Sequence, residues 1–180
     1  LCVLMRLFLG RGCLERAAQR FRRWQVAGAA AMAFCHGAQD GQKFLGVLLL
    51  AEALRAGRPP QLESAPLWEA LLCALVMGAG TAVGGRRIIR AVGQDMTPLM
   101  PYQGFAADTA AVACLLLATA GGLPVSTTHT KTCAVMGAGA AGGGKVDRRI
   151  AGRMVLAWLL TFPACALLGY VLSKWMFHLA

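Results

Sequence analysis

One stretch, His36-Gly37-Ala38-Gln39-Asp40-Gly41-Gln42-Lys43, sets three ionisable residues in the middle of the apolar run from Val26 to Ala51. An ionisable side chain inside a bilayer costs roughly 2.5–3.5 kcal/mol on insertion scales, so residues kept there point to function. On a helix His36, Asp40 and Lys43 share one face at i, i+4 and i+7. Asp40 can hold a cation or a proton, and Gln39 and Gln42 offer amide donors to an oxyanion. Lys43 can neutralise Asp40 or meet an anion directly. Gly37 and Gly41 would let the helix unwind and line a cavity with backbone groups. The plainer alternative is a structural Asp–Lys pair between helices, with His36 as a helix–helix hydrogen-bonding residue.

A second polar island follows at Pro124-Val125-Ser126-Thr127-Thr128-His129-Thr130-Lys131. Pro124 precludes an uninterrupted helix through it. A helix starting near Thr127 would point its positive dipole end, with the Ser126, Thr127 and Thr128 hydroxyls, at an oxyanion. The other reading is an ordinary capped helix start between two membrane segments. Both stand on residue types alone. Asp108 is either interfacial, the favoured reading, or part of an ion path. Glu52 and Glu69 read as solvated helix-end residues.

The elements that must carry these islands are membrane helices. The 180 residues are 57% hydrophobic and 14% charged, with a mean hydropathy of +0.57, whereas soluble domains carry about 25% charged residues. The net charge of +10 lies in clusters between apolar runs without interleaved aromatics, which sets aside a nucleic-acid partner and marks the cytoplasmic side. The seven cysteines show no CxxC spacing, so they are expected to be small hydrophobes rather than disulfide or zinc ligands. No secretory leader is legible, and the chain reads as the remainder of something longer.

Residues 1–23 are expected to be the tail of a membrane helix followed by a cytoplasmic loop carrying Arg11, Arg16, Arg20, Arg22 and Arg23. Residues 24–180 then form the transmembrane unit. Val26 to Leu54 crosses with a break at Gly37 to Gly41. An outer loop runs from Arg55 to Pro66, with Pro59-Pro60. Leu67 to Gly85 spans next, with Gly80 and Gly84 as a small-xxx-small contact. Arg86, Arg87 and Arg90 face the cytoplasm, as do Lys145, Arg148, Arg149 and Arg153, so the chain between them crosses an even number of times. Gly93 to Gln103 is a polar connection; a helix from Phe105 and a shorter one after the Ser-Thr-Thr turn make the hairpin. Met154 to Phe177 spans last, kinked at Pro163. Gly137-Ala138-Gly139-Ala140-Ala141-Gly142 matches GxGxxG only formally: no strand precedes it, and close helix packing explains it better.

The two islands resemble the inorganic phosphate transporter (Pit) family of secondary carriers, which has H-G-A-N-D-A-Q-K and P-V-S-T-T-H-T elements in its carboxyl-terminal half. The resemblance runs from the Arg-rich segment through nearly the whole chain. It departs at Gln39, where the family has a shorter Asn, and at Gly41, where it has Ala. It implies an all-α polytopic membrane protein with broken helices and a re-entrant-like hairpin, one half of an inverted-repeat carrier in the cell inner membrane. It further implies phosphate binding by Gln39, Gln42, Ser126, Thr127 and Thr128, and a coupling cation at Asp40. His36, Lys43 and Asp108 are accessory. The coupling ion would be H+ or Na+, with a divalent metal carried as a metal–phosphate complex, and there would be no resident cofactor or metal. Partners would be inorganic phosphate, membrane lipid and either a first-repeat half or a second copy. The rivals are a permease for another oxyanion such as sulfate, and a non-transporting fragment or interaction subunit of a split carrier. No nucleophile–base–acid set is recognisable, with His36 and His129 on separate elements, so an enzyme is not expected.

Overall fold

The computed structural model describes residues 2–57, 59 and 66–179, and every regular element among them is helical. The order is α1 (Cys2–Arg16), α2 (Ala18–Ala56), α3 (Leu67–Arg90) running into a π turn (Ala91–Asp95), α4 (Pro101–Ala120), α5 (Thr127–Ala141) and α6 (Arg148–Leu179). Most of the expected outer loop, Arg58 and residues 60–65, lies outside the described residues.

Two expectations are corrected at the amino-terminal end. The Arg-rich stretch is helical, interrupted only at Ala17, and backbone bonds run across the junction: Ala17 N–H donates to Cys13 O and Phe21 N–H to Ala17 O, both at 3.0 Å. Arginine and alanine are good helix formers, and neither Gly nor Pro occurs from Cys13 to Ala27 to break the run. Charge marks the side of a membrane; it does not specify a loop. The second correction concerns Gly37 to Gly41, which stay helical inside the 39-residue α2. A glycine costs only about 1 kcal/mol in a helix, whereas unwinding frees several backbone groups that need new partners away from water. The helix ends where Gly57 turns left-handed, at φ 63°, and its N–H caps the last turn.

Helices α2, α4 and α5 form the packed part of the molecule, with α4 against both of the others. Helix α4 starts at Pro101, before the expected Phe105, because Pro101 suits a first helical position and Gln103 caps it, its Oε1 accepting from Met100 N–H at 2.7 Å. Helices α2 and α4 run parallel. Gly28 lies against Asp108 and Gln39 against Thr119, the same distance along both helices. Phe21 and Trp24 pack on Phe105, and Phe21 also on Tyr102.

After Ala120 the chain turns at Gly122 (φ 66°), runs without regular structure from Leu123 to Ser126, and returns as α5. The 15 residues of α5 span about 22 Å, short of a hydrocarbon core of about 30 Å. At its far end, Gly139 sits where an added Cβ would come within 2.7 Å of Thr97 Oγ1. The Gly/Ala segment thus serves close packing, beside a core of Val92, Met96, Ala107, Val135 and Ala138.

Among the described residues, three helices are long and apolar enough to cross a membrane, at Leu67–Arg86, Pro101–Ala120 and Arg148–Trp175. Helix α2, with its midpoint charges, is not among them. The windows on α3 and α6 are 6% and 0% buried within the chain, so their apolar surfaces face outward. Gly80 and Gly84, where a helix contact is expected, meet nothing within 4 Å among the described residues. Glu69 is buried, 2% exposed, rather than solvated. Pro163 lies inside α6, which continues through it.

Candidate functional site

Because α2 is unbroken, His36, Asp40 and Lys43 rise in one row over about 10 Å of helix. The row faces the start of α5. Asp40 Oδ2 accepts from Thr127 Oγ1 at 3.3 Å, and His36 Nδ1 lies 2.7 Å from the same hydroxyl. With Thr127 donating to the carboxylate, an Nδ1–H on His36 would complete the contact by donating to Thr127. The ring nitrogen is also 3.3 Å from Asp40 Oδ2.

The other carboxylate oxygen belongs to Lys43. Its Nζ donates to Asp40 Oδ1 at 2.9 Å and to the Val125 carbonyl at 2.7 Å. That carbonyl is available because Pro124 and the turn hold residues 123–126 out of the helix. Asp40 therefore meets partners on both oxygens, from its own helix and from α5.

On the neighbouring face of α2, Gln39 is buried (4% exposed) and donates from Nε2 to Thr119 Oγ1 at 2.6 Å. Thr119 in turn donates to Leu115 O at 2.8 Å. Between these helices opens a cleft of about 190 Å3, lined by Gln39, Gln42 and Lys43 from α2, by Thr119 from α4 and by Gly122 to Pro124 from the turn. It has room for several waters at ~30 Å3 each.

The three consecutive hydroxyls do not converge on one point. Ser126 is the N-cap of α5, its Oγ accepting from His129 N–H at 3.3 Å. Thr127 is buried and turned to Asp40, while Thr128 is exposed. Helix geometry leaves the N–H groups of Thr127 and Thr128 without an acceptor inside α5, at its positive dipole end. His129 faces away from His36 and packs its ring on Trp158, with centroids 4.1 Å apart.

Asp108 is buried (4% exposed) and forms an ion pair with Lys131 across α4 and α5. Lys131 lies one turn further along α5 than Thr127, and the pair is separate from the Asp40 network. Sequence reasoning gave Thr119, Lys131 and the Val125 carbonyl no role. For Thr119 the signal was a lone hydroxyl at the end of an apolar run just before Gly121-Gly122. For Lys131 it was a second cation one helical turn from Thr127.

The model of the phosphate transporter family matches residues 11–169. A protein of Mycobacterium leprae named "Probable low-affinity inorganic phosphate transporter" is 40% identical over 161 residues, covering 89% of this chain and 39% of the relative. Proteins bearing the same name are 36% identical in Bacillus subtilis, covering 88% of this chain and 47% of the relative, and 38% identical in Rhizobium meliloti, covering 83% and 45%. No solved structure matches. The chain spans less than half the length of these curated relatives. With both islands inside the matched region, the chain belongs to the phosphate transporter family.

Proposed function

We propose that the chain forms one half of an inorganic phosphate carrier of the cell inner membrane, moving phosphate by alternating access in symport with H+ or Na+. The observation that carries this reading is the junction of Asp40 with Thr127, which joins the two polar islands at the start of α5. Phosphate would lie in the cleft beside Gln39 and Gln42, toward the free N–H groups of Thr127 and Thr128, with Ser126 holding the helix start in shape. The α4–α5 hairpin would enter the bilayer without α5 crossing all of it. A first-repeat half or a second copy would supply the opposite side of the site, as the length of the relatives favours. A divalent metal could travel with the anion as a metal–phosphate complex.

Coupling follows from charge. A phosphate within 4 Å of Asp40 meets a repulsion of about 4 kcal/mol per unit charge at an effective dielectric near 20. When Lys43 leaves Asp40, an external cation held there offsets that repulsion, so anion and cation favour each other's binding.

The test is uptake of radiolabelled phosphate into proteoliposomes holding this chain, alone and with a first-repeat partner, under imposed proton or sodium gradients. Expected are gradient-dependent uptake, competition by arsenate but not by sulfate, and its loss in Asp40→Asn. Uptake competed by sulfate and not by arsenate would replace phosphate with another oxyanion. Silence with and without the partner would favour a non-transporting subunit.

A further inference from the structure

An alkali cation bound at Asp40 would need oxygen ligands. Two that this fold offers are the carboxylate and a carbonyl from backbone held out of helix, and unwound backbone carbonyls are usual ligands at the ion sites of carriers. Both are already engaged by a cation. Lys43 Nζ binds Asp40 Oδ1 at 2.9 Å and Val125 O at 2.7 Å, distances normal for charge-assisted bonds. The ammonium is a monovalent cation on a flexible stem. It comes from the same helix as Asp40, so it can leave without any helix moving. Its side chain is 38% exposed and that of Asp40 24%, so the pair is open at the surface of this chain. Lys43 engages Oδ1 alone, while Oδ2 accepts from Thr127 Oγ1 at 3.3 Å.

We propose that Lys43 is a tethered cation occupying the alkali-ion position between Asp40 and the Val125 carbonyl, which an external ion takes only by displacing the ammonium. The inference rests on Asp40 being the cation-linked carboxylate of the carrier. An intramolecular competitor lowers the apparent affinity for the external ion by the fraction of time it vacates the site. Lys43 thereby sets the ion concentration at which the site responds. It also leaves the carboxylate neutralised when no ion is bound.

The experiment needs no phosphate. The chain is purified in detergent, and its thermal unfolding is followed by circular dichroism while NaCl replaces choline chloride at constant ionic strength. An ion that binds only the folded state raises the midpoint with concentration. The expected result is a half-saturating Na+ concentration at least tenfold lower in Lys43→Met than in the wild type, with the response abolished in Asp40→Asn/Lys43→Met. Equal Na+ responses in wild type and Lys43→Met would overturn the proposal, as would no response in Lys43→Met. Lys43→Gln serves as a second variant. If both variants unfold and Na+ does not rescue them, the ammonium is a structural group and the proposal fails. Phosphate uptake is scored separately: a Na+ response uncovered in Lys43→Met without phosphate transport keeps the tethered cation and removes the phosphate reading.

Discussion

The chain holds two Asp–Lys pairs that differ in nearly every respect. Asp40 and Lys43 belong to one helix, with side chains 24% and 38% exposed, and the carboxylate shares itself among three side chains. Asp108 and Lys131 belong to facing helices of the hairpin, with side chains 6% and 30% exposed. The first pair can open and exchange partners while the backbone stays in place. The second cannot open without exposing a lone charge to the packed α2–α4–α5 seam. The same two residue types thus make an exchangeable site in one place and a clamp in the other. Burial and the number of helices spanned decide which.

The comparison breaks most visibly at the clamp. Lys131→Met leaves the buried Asp108 carboxylate without its partner and should destabilise by about 3–5 kcal/mol, measured by denaturant unfolding in detergent, with a smaller loss for Asp108→Ala, which strands the partly exposed Lys131. The double substitution Asp108→Asn/Lys131→Met should recover most of that loss. Next is Thr127→Val, which removes the hydroxyl between His36 and Asp40 and leaves both short of a partner; about 1–3 kcal/mol is expected from the same assay. Ser126→Ala deletes the cap of α5 and should cost about 1 kcal/mol.

The smallest effects fall on α2 itself. Gly37→Ala and Gly41→Ala meet nothing within 4 Å among the described residues and should each stabilise by about 0.4–1 kcal/mol, since both positions are helical. If α2 unwinds there during transport, the same substitutions will slow uptake while raising stability. Lys43→Met should change stability by only about 0.2–1 kcal/mol, as a partly exposed pair does, while shifting the response to Na+ at least tenfold. A small stability effect with a large ion effect separates the open pair from the clamp.

What could be read without coordinates followed fixed geometry. The row of His36, Asp40 and Lys43 comes from the pitch of a helix, and the start of α5 comes from Pro124 followed by a capping Ser126. What could not be read depended on competition between small terms or on distant partners. Gly37 and Gly41 permit unwinding, but two weak helix residues do not outweigh the backbone bonds that unwinding gives up. The Arg-rich segment marks a membrane side and still forms helix. Asp108 and Lys131 meet only because the hairpin folds back, and neither residue announces the other. The hydroxyl run looked like a single cradle, yet successive residues on a helix point in different directions, so Thr127 turns inward and Thr128 outward.

The most direct test of a phosphate site at the α2–α5 junction is radiolabelled phosphate uptake by Thr127→Val beside the wild type, each reconstituted with a first-repeat partner. At least a tenfold loss of uptake, with helix content retained by circular dichroism, is the expected result. Wild-type uptake by Thr127→Val would contradict it and remove the Asp40–Thr127 junction from the transport mechanism.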